Sequence, residues 1–217
     1  MNADKRKKLS REAYVIRKKL LETIQNAGSG HIGGSMSIAE ILSVLYFEEM
    51  KINPENPDMQ DRDRLVLSKG HCSPALYATL ALKGFFSIEH LSSFRNMESD
   101  LSGHVEIHVP GVDMSSGSLG QGLSVGLGMA LFAKNKGYKN RAFVILGDGE
   151  IQEGQIWEAA MAAGYFKADN LIALVDNNKI QLDGWLKEVM SPYPIGEKFR
   201  AFGWNVLEID GHDVAQI

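Results

Sequence analysis

Two short clusters, Gly147-Asp148-Gly149 and Asp176-Asn177-Asn178, constrain this 217-residue chain more than anything else in it. Each closes an apolar, β-branched run, Ala142 to Leu146 and Leu171 to Val175. Between them, Gln152 to Ala163 carries a helical pattern that Gly164 should stop. Strand, helix, strand is a crossover unit, which makes the strands parallel and brings both carboxyl ends to one edge. Open α/β sheets hold their ligands along that edge, so Asp148 and Asn178 are expected to converge there. A carboxylate, an amide oxygen and nearby backbone carbonyls are hard donors that suit Mg²⁺ or Ca²⁺ but are too few to enclose either. A ligand phosphate would complete the octahedron. Gly149 leaves room for backbone N–H groups at a helix start to face it.

The rest of the chain supports an α/β class with a mainly parallel sheet and helices on both faces. Leu9, Ala13, Ile16, Leu20, Ile24 and Ala27 recur at helical spacing, and Gly28 should end that helix. Ser37-Ile38-Ala39-Glu40 has the form of a capping box opening a second helix to about Met50. Asn53 to Asp63 is a Pro- and Asp-rich loop, and Arg64 to Ser68 a short strand. Pro74 suits the first turn of a helix ending near Gly84, and Ser87 starts another short one. Arg95 to Ser118 has no pattern, and a long irregular loop in a compact domain is more often functional than incidental. Leu119 to Asn135 reads as a helix carrying Gly120, Gly122, Gly126 and Gly128, which implies close approach of another backbone. Trp204 to Ile209 reads as a last strand, with Asp210-Gly211-His212-Asp213 capping the start of a helix.

Composition narrows the classes of function. A net charge of −4 argues against nucleic acid or an anionic membrane as the main partner. No apolar run approaches the roughly 20 residues that span a bilayer, and the basic run Lys5 to Lys8 is not followed by a signal-type stretch. One cysteine, Cys72, forbids an internal disulfide and fits a reducing cytosol, so the expected location is cytoplasmic. Gly28-Ser29-Gly30-His31-Ile32-Gly33 matches a dinucleotide fingerprint by letter but follows a helix rather than a strand, and Ser68-Lys69-Gly70 has no Walker pattern around it.

The GDG…NN spacing resembles the metal–diphosphate signature of thiamine-diphosphate enzymes. SGHIGGSMSIAEIL (29–42), LSKGHCSPALYATLALKG (67–84) and GHVEIHVPGVDMSSGSLGQGLSVGLGMA (103–130) narrow the resemblance to the amino-terminal half of transketolase, in that family's order and spacing. It implies that residues 1–217 form a diphosphate-binding domain, the pyrimidine-binding and C-terminal domains being absent from this chain. The chain thus resembles the amino-terminal subunit of a split transketolase, or a fragment cut to similar effect.

By that resemblance, Asp148 and Asn178 bind Mg²⁺ with the carbonyl of Ile180. Gly149 lies at the diphosphate of thiamine diphosphate, and Gly117 and Leu119 make backbone contacts near the aminopyrimidine; Ser118 stands between them where many relatives have proline. His71 lies by the diphosphate, and His31 and His104 face the donor sugar, where imidazoles can move protons near neutral pH. His90, His108 and His212 read as structural. Glu153 and Glu158 read either as a solvated helix face or as a link between active sites near a subunit contact. The implied reaction is transfer of a two-carbon ketol unit between sugar phosphates, and the implied partner is a C-terminal transketolase subunit in a two-plus-two heterotetramer. Alternatives are deoxyxylulose-phosphate synthase, a 2-oxoacid dehydrogenase component, or a non-catalytic assembly subunit.

Overall fold

A stripe of apolar residues three and four apart makes the first helix. In the computed structural model, which describes residues 1–217, α1 runs Ala3–Ala27. Asn2 Oδ1 caps it by accepting from the Lys5 N–H at 2.9 Å, and Gly28 ends it at φ +66°. Leu9, Ala13, Ile16 and Leu20 are wholly buried along one face. Each buried leucine or isoleucine there contributes about 1.5–3 kcal/mol over exposure.

The chain divides into two compact units. The first comprises residues 1–62, 70–117 and 209–217. In it α1 packs on α3 (Ala39–Val44) and α4 (Ser73–Lys83), and α2 (Ile32–Ser37) lies between α1 and α3 in sequence. Pro74 sits in the first turn of α4, and Gly84 ends it at φ +95°. Val214 returns to a small core with Leu9 and Val44.

The capping box does not form. Ser37 is the last residue of α2 and its hydroxyl donates to the Gly34 carbonyl, while Glu40 is engaged by the Arg17 guanidinium. The helix is instead broken at Ile38, and α3 runs into a π-helical turn, Leu45–Glu49, closed by Met50 N–H donating to Leu45 O at 2.8 Å.

The second unit comprises residues 63–69 and 118–208. Its sheet is parallel, in the order β1 (Arg64–Leu67), β2 (Ala142–Gly147), β3 (Leu171–Asp176). Five consecutive residues of β2 are buried, so both faces of the central strand are covered. Helix α5 (Gly122–Lys136) packs across the sheet. Gly122 and Gly126 permit this: a Cβ at the first would collide with Ser68, backbone included, and at the second with the Val144 side chain. Gly128 meets nothing and is not part of that contact. Gly120 precedes the helix at φ +87°, so α5 begins three residues later than the pattern suggested.

Helix α6 (Gly154–Tyr165) follows a 3₁₀ turn, Glu150–Gln152. Gly164 lies inside this helix rather than ending it, because the Phe202 carbonyl occupies the place of a Cβ. A hairpin, β4 (Ile180–Gln181) and β5 (Gly184–Trp185), leads to α7 (Leu186–Val189) and α8 (Ile195–Ala201). Residues 204–209 form no strand. The Trp204 indole anchors this stretch by donating to Ala160 O at 2.9 Å, while Leu207 and Ile209 stay exposed. Alternating apolar residues pair into a sheet only where a neighbouring strand takes their N–H groups. No helix is long and apolar enough to cross a membrane.

Candidate active site

In the second unit, parallel pairing sets Gly147 level with Asp176, so the ends of β2 and β3 meet at one edge as the crossover pattern requires. The Asp148 N–H donates to Asp176 O at 3.2 Å. Asp148 is 1% exposed, and no basic side chain pairs with it. Its two oxygens accept from backbone N–H groups only, Gly149 at 2.8 Å and Lys179 at 2.6 Å. Burial pushes its carboxyl above the ordinary range, and the two N–H donors pull the other way. Lys69 lowers it through space without a hydrogen bond, and a buried carboxylate held only by backbone N–H groups is one that a divalent cation would stabilise.

Asn178 Oδ1 accepts from the Ile180 N–H at 3.0 Å. Asp148, Asn178 and the Ile180 carbonyl thus fit a hard cation by donor type, and the set remains sparse: no three His, Cys, Asp or Glu side chains form a metal-holding group. The Gly149 N–H is spent on Asp148. Leu119 is just over a third exposed.

Ser68, Lys69 and Glu150, which carry no role in the sequence reading, stand at the same edge with Asp176. Lys69, just beyond β1 and 1% exposed, donates to Asp176 Oδ2 at 2.5 Å. Glu150, 3% exposed, joins three elements. Its Oε1 accepts from the Gly120 N–H at 2.9 Å and from the Ser68 hydroxyl, and its Oε2 accepts from the Gly147 N–H at 2.9 Å. Ser68 Oγ in turn accepts from the Gly122 N–H at 3.2 Å. The available signal was position: Ser68, Lys69 and Asp176 directly end apolar strand runs, where ligand-side groups of a parallel sheet collect.

The first unit gathers the three histidines. The His31 ring lies 5.1 Å from that of His71 and 6.4 Å from that of His104, centroid to centroid. His31 and His104 are exposed and His71 half-buried. The His104 carbonyl accepts from Tyr77 Oη at 3.0 Å and Ser102 Oγ at 2.6 Å, which fixes the backbone that carries the ring. Gly117 lies against that ring: a Cβ there would sit 3.3 Å from its Cδ2. Partial burial, then the Arg95 guanidinium and the neighbouring His104 ring, hold the His31 imidazole below its ordinary range. Arg95 was not selected from the sequence. It has φ +63°, uncommon for a non-glycine residue, and donates to Ser29 Oγ at 2.9 Å.

The other histidines do separate work. His90 pairs with Asp100 at 2.6 Å, and His212 Nδ1 lies 3.0 Å from Glu40 Oε2. His108 is exposed, Cys72 is buried, and Glu153 and Glu158 are exposed.

Residues 9–217 match the model of the transketolase thiamine diphosphate binding domain. The chain is 52% identical to the 6-deoxy-6-sulfo-D-fructose transketolase subunit of a Clostridium species over 96% of its length and 76% of the relative's. It is 47% identical to an apulose-4-phosphate transketolase subunit of Phocaeicola vulgatus, over 93% of this chain and 72% of that one. The crystal structure of Campylobacter jejuni transketolase superposes with a TM-score of 0.92 at 37% identity, over 99% of this chain and 34% of that one. This chain therefore spans about three quarters of those subunits and a third of the solved enzyme. A parallel sheet with its polar groups at one edge, three gathered histidines and a family match over nearly all of its residues together place the chain in the transketolase family, by its thiamine diphosphate binding domain.

Proposed function

We propose that the chain is the amino-terminal subunit of a transketolase that requires thiamine diphosphate and Mg²⁺ and moves a two-carbon ketol unit between sugar phosphates. It works with a second subunit, which carries the pyrimidine-binding domain, in a two-plus-two assembly. The observation that carries this reading is the histidine group: the His71 and His104 rings lie 5.1 and 6.4 Å from that of His31, and His31 and His104 are open to solvent. Ketol transfer needs protons removed from and returned to sugar hydroxyls, and imidazoles do this near neutral pH. The relatives named as separate subunits support the division between two chains.

Thiamine diphosphate supplies the electron sink when bound. Asp148, Asn178 and the Ile180 carbonyl would hold Mg²⁺, and Gly149 would border the diphosphate. His71 would lie by the diphosphate, and Gly117 and Leu119 would meet the aminopyrimidine through their backbones. His31 and His104 would hold and move protons at the donor hydroxyls, with His31 kept neutral and so ready to accept one.

The test is donor use by the chain co-purified with its partner. Xylulose 5-phosphate, a sulfonated ketose and apulose 4-phosphate are compared with pyruvate, using ribose 5-phosphate as acceptor. A phosphorylated ketose should be the working donor. His104→Ala should lose roughly a hundredfold in turnover with thiamine diphosphate affinity unchanged. Preference for pyruvate, full turnover by the His104 variant, or robust turnover by this chain alone would each overturn the reading.

A further inference from the structure

The end of β3 holds a hydrogen-bonded chain that starts from a buried ammonium. Lys69 Nζ donates to Asp176 Oδ2 at 2.5 Å, and the same oxygen accepts from Asn178 Nδ2 at 2.9 Å. Lys69 is 1% and Asp176 8% exposed, so neither is a solvated surface group. The two ends of an amide are alike in shape but opposite in chemistry, one a double donor and the other an acceptor with two lone pairs. Here the donor end of Asn178 is committed to a carboxylate. Its Oδ1 accepts from the Ile180 N–H at 3.0 Å, which uses one lone pair and leaves the other.

We propose that Lys69 and Asp176 are positioning residues for the cation site: the Lys69–Asp176 pair pins the Asn178 amide nitrogen, so that its oxygen is the atom offered to the metal. This rests on the reading of Asp148 and Asn178 as cation ligands. Groups that orient a ligand commonly change metal affinity tenfold to a hundredfold when removed.

Electrostatics alone predicts the reverse. Replacing Lys69 by a neutral residue removes a positive charge near the site and frees the negative charge of Asp176, both of which should draw a cation in. Positioning predicts weaker binding, because Asn178 then loses its fixed orientation. The two accounts therefore differ in sign.

The experiment is a titration of the full chain with Mn²⁺ at saturating thiamine diphosphate. Free Mn²⁺ is read by electron paramagnetic resonance, and folding by circular dichroism. Lys69→Met should weaken Mn²⁺ binding at least roughly tenfold. Because that variant leaves Asp176 buried without its ammonium, the double variant Lys69→Met/Asp176→Leu is measured beside it. It removes both charges of the pair. If the pair positions Asn178, the double variant stays at least tenfold weak although folded. Wild-type or tighter affinity in either folded variant would overturn the proposal. Asp148→Ala separates the two levels of the argument. If it abolishes binding while the Lys69 variants bind normally, only the positioning role fails. If wild type and Asp148→Ala bind alike, the cation-site reading fails and takes this proposal with it.

Discussion

Lys69, Asp148, Glu150 and Asp176, at the carboxyl ends of the sheet, are each less than a tenth exposed, and each is held by short hydrogen bonds to backbone or side chains. His31 and His104, in the other unit, stand open to solvent, with the His31 ring 5.1 Å from that of His71 and 6.4 Å from that of His104, and Gly117 against the His104 ring. The difference has a chemical logic. A group that must hold a cation or fix a backbone benefits from burial, where its interactions are strong and its geometry single-valued. A group that must take up and release protons needs access, and a charge cost small enough to let both forms exist. The same difference means that stability and turnover should be lost separately when the two regions are altered.

The largest effect should come from Glu150. Its carboxylate serves the N–H groups of Gly120 and Gly147 and the hydroxyl of Ser68, tying together the ends of β1 and β2 and the turn before α5. Glu150→Ala leaves two buried donors and one half-buried donor without that partner, and an unsatisfied buried donor costs about 1–3 kcal/mol. We expect a loss of about 3 kcal/mol or more in urea unfolding of the purified chain. His104→Ala should stay within about 0.5 kcal/mol of wild type, as exposed positions do. Equal unfolding midpoints for the two variants would erase the contrast between the regions.

A smaller effect, of opposite sign at two nearby positions, sharpens the account of the second unit. Gly126 and Gly128 belong to the same helix, two residues apart. A methyl group at Gly126 would run into Val144, whereas one at Gly128 meets only open space. Gly126→Ala should destabilise by about 1–3 kcal/mol through overpacking. Gly128→Ala should stabilise by up to about 1 kcal/mol, the helix-propensity gain of alanine. Thermal unfolding of both variants decides it, and stabilisation by Gly126→Ala would show that α5 does not rest as closely on β2 as described.

These cases also mark how far the sequence could be read. The strand–helix–strand unit was legible because its apolar runs are uninterrupted and its polar residues fall just past their ends, a pattern that parallel pairing alone satisfies. Helix α1 was legible for the same reason: one stripe, one stop. Ser37 was misread because its letters satisfy a capping box, whereas the backbone enters a helix five residues earlier and uses the hydroxyl on Gly34. Gly164 was misread because a helix can carry a glycine wherever a carbonyl, here that of Phe202, takes the place of its Cβ. Residues 204–209 alternate like a strand, but alternation says nothing about whether a neighbour supplies the ladder. Asp176 was read only as part of its strand-end cluster and Lys69 and Glu150 carried no role, because only tertiary contact reveals that all three are buried and joined. The histidines were selected by motif, and their gathering rests on separations of 40 and 73 positions from His31 that no local pattern encodes.

The smallest effect concerns protonation at His31. Its imidazole lies below the ordinary value, first because part of it is buried and then because the Arg95 guanidinium and the neighbouring His104 ring oppose its protonation. A folded-state value below the unfolded one means that the unfolded chain binds the proton first as pH falls. The stability associated with neutral His31 is therefore complete above the unfolded value, near 6.5. It is lost as pH drops from there through the lower, folded-state value, and no further below it. Because the ring is largely exposed, the slope should be slight. It should nevertheless be absent in His31→Gln, whose unfolding free energy between pH 7 and 5 should fall less steeply than that of wild type. Following the His31 ring resonances by NMR locates the midpoint directly. Arg95→Gln should move that midpoint upward by removing the guanidinium charge, without altering any buried group at the sheet edge. A midpoint at or above the ordinary histidine value, or one unmoved by Arg95→Gln, would mean that the open cluster does not tune its own proton affinity, and the contrast with the buried edge would then rest on exposure alone.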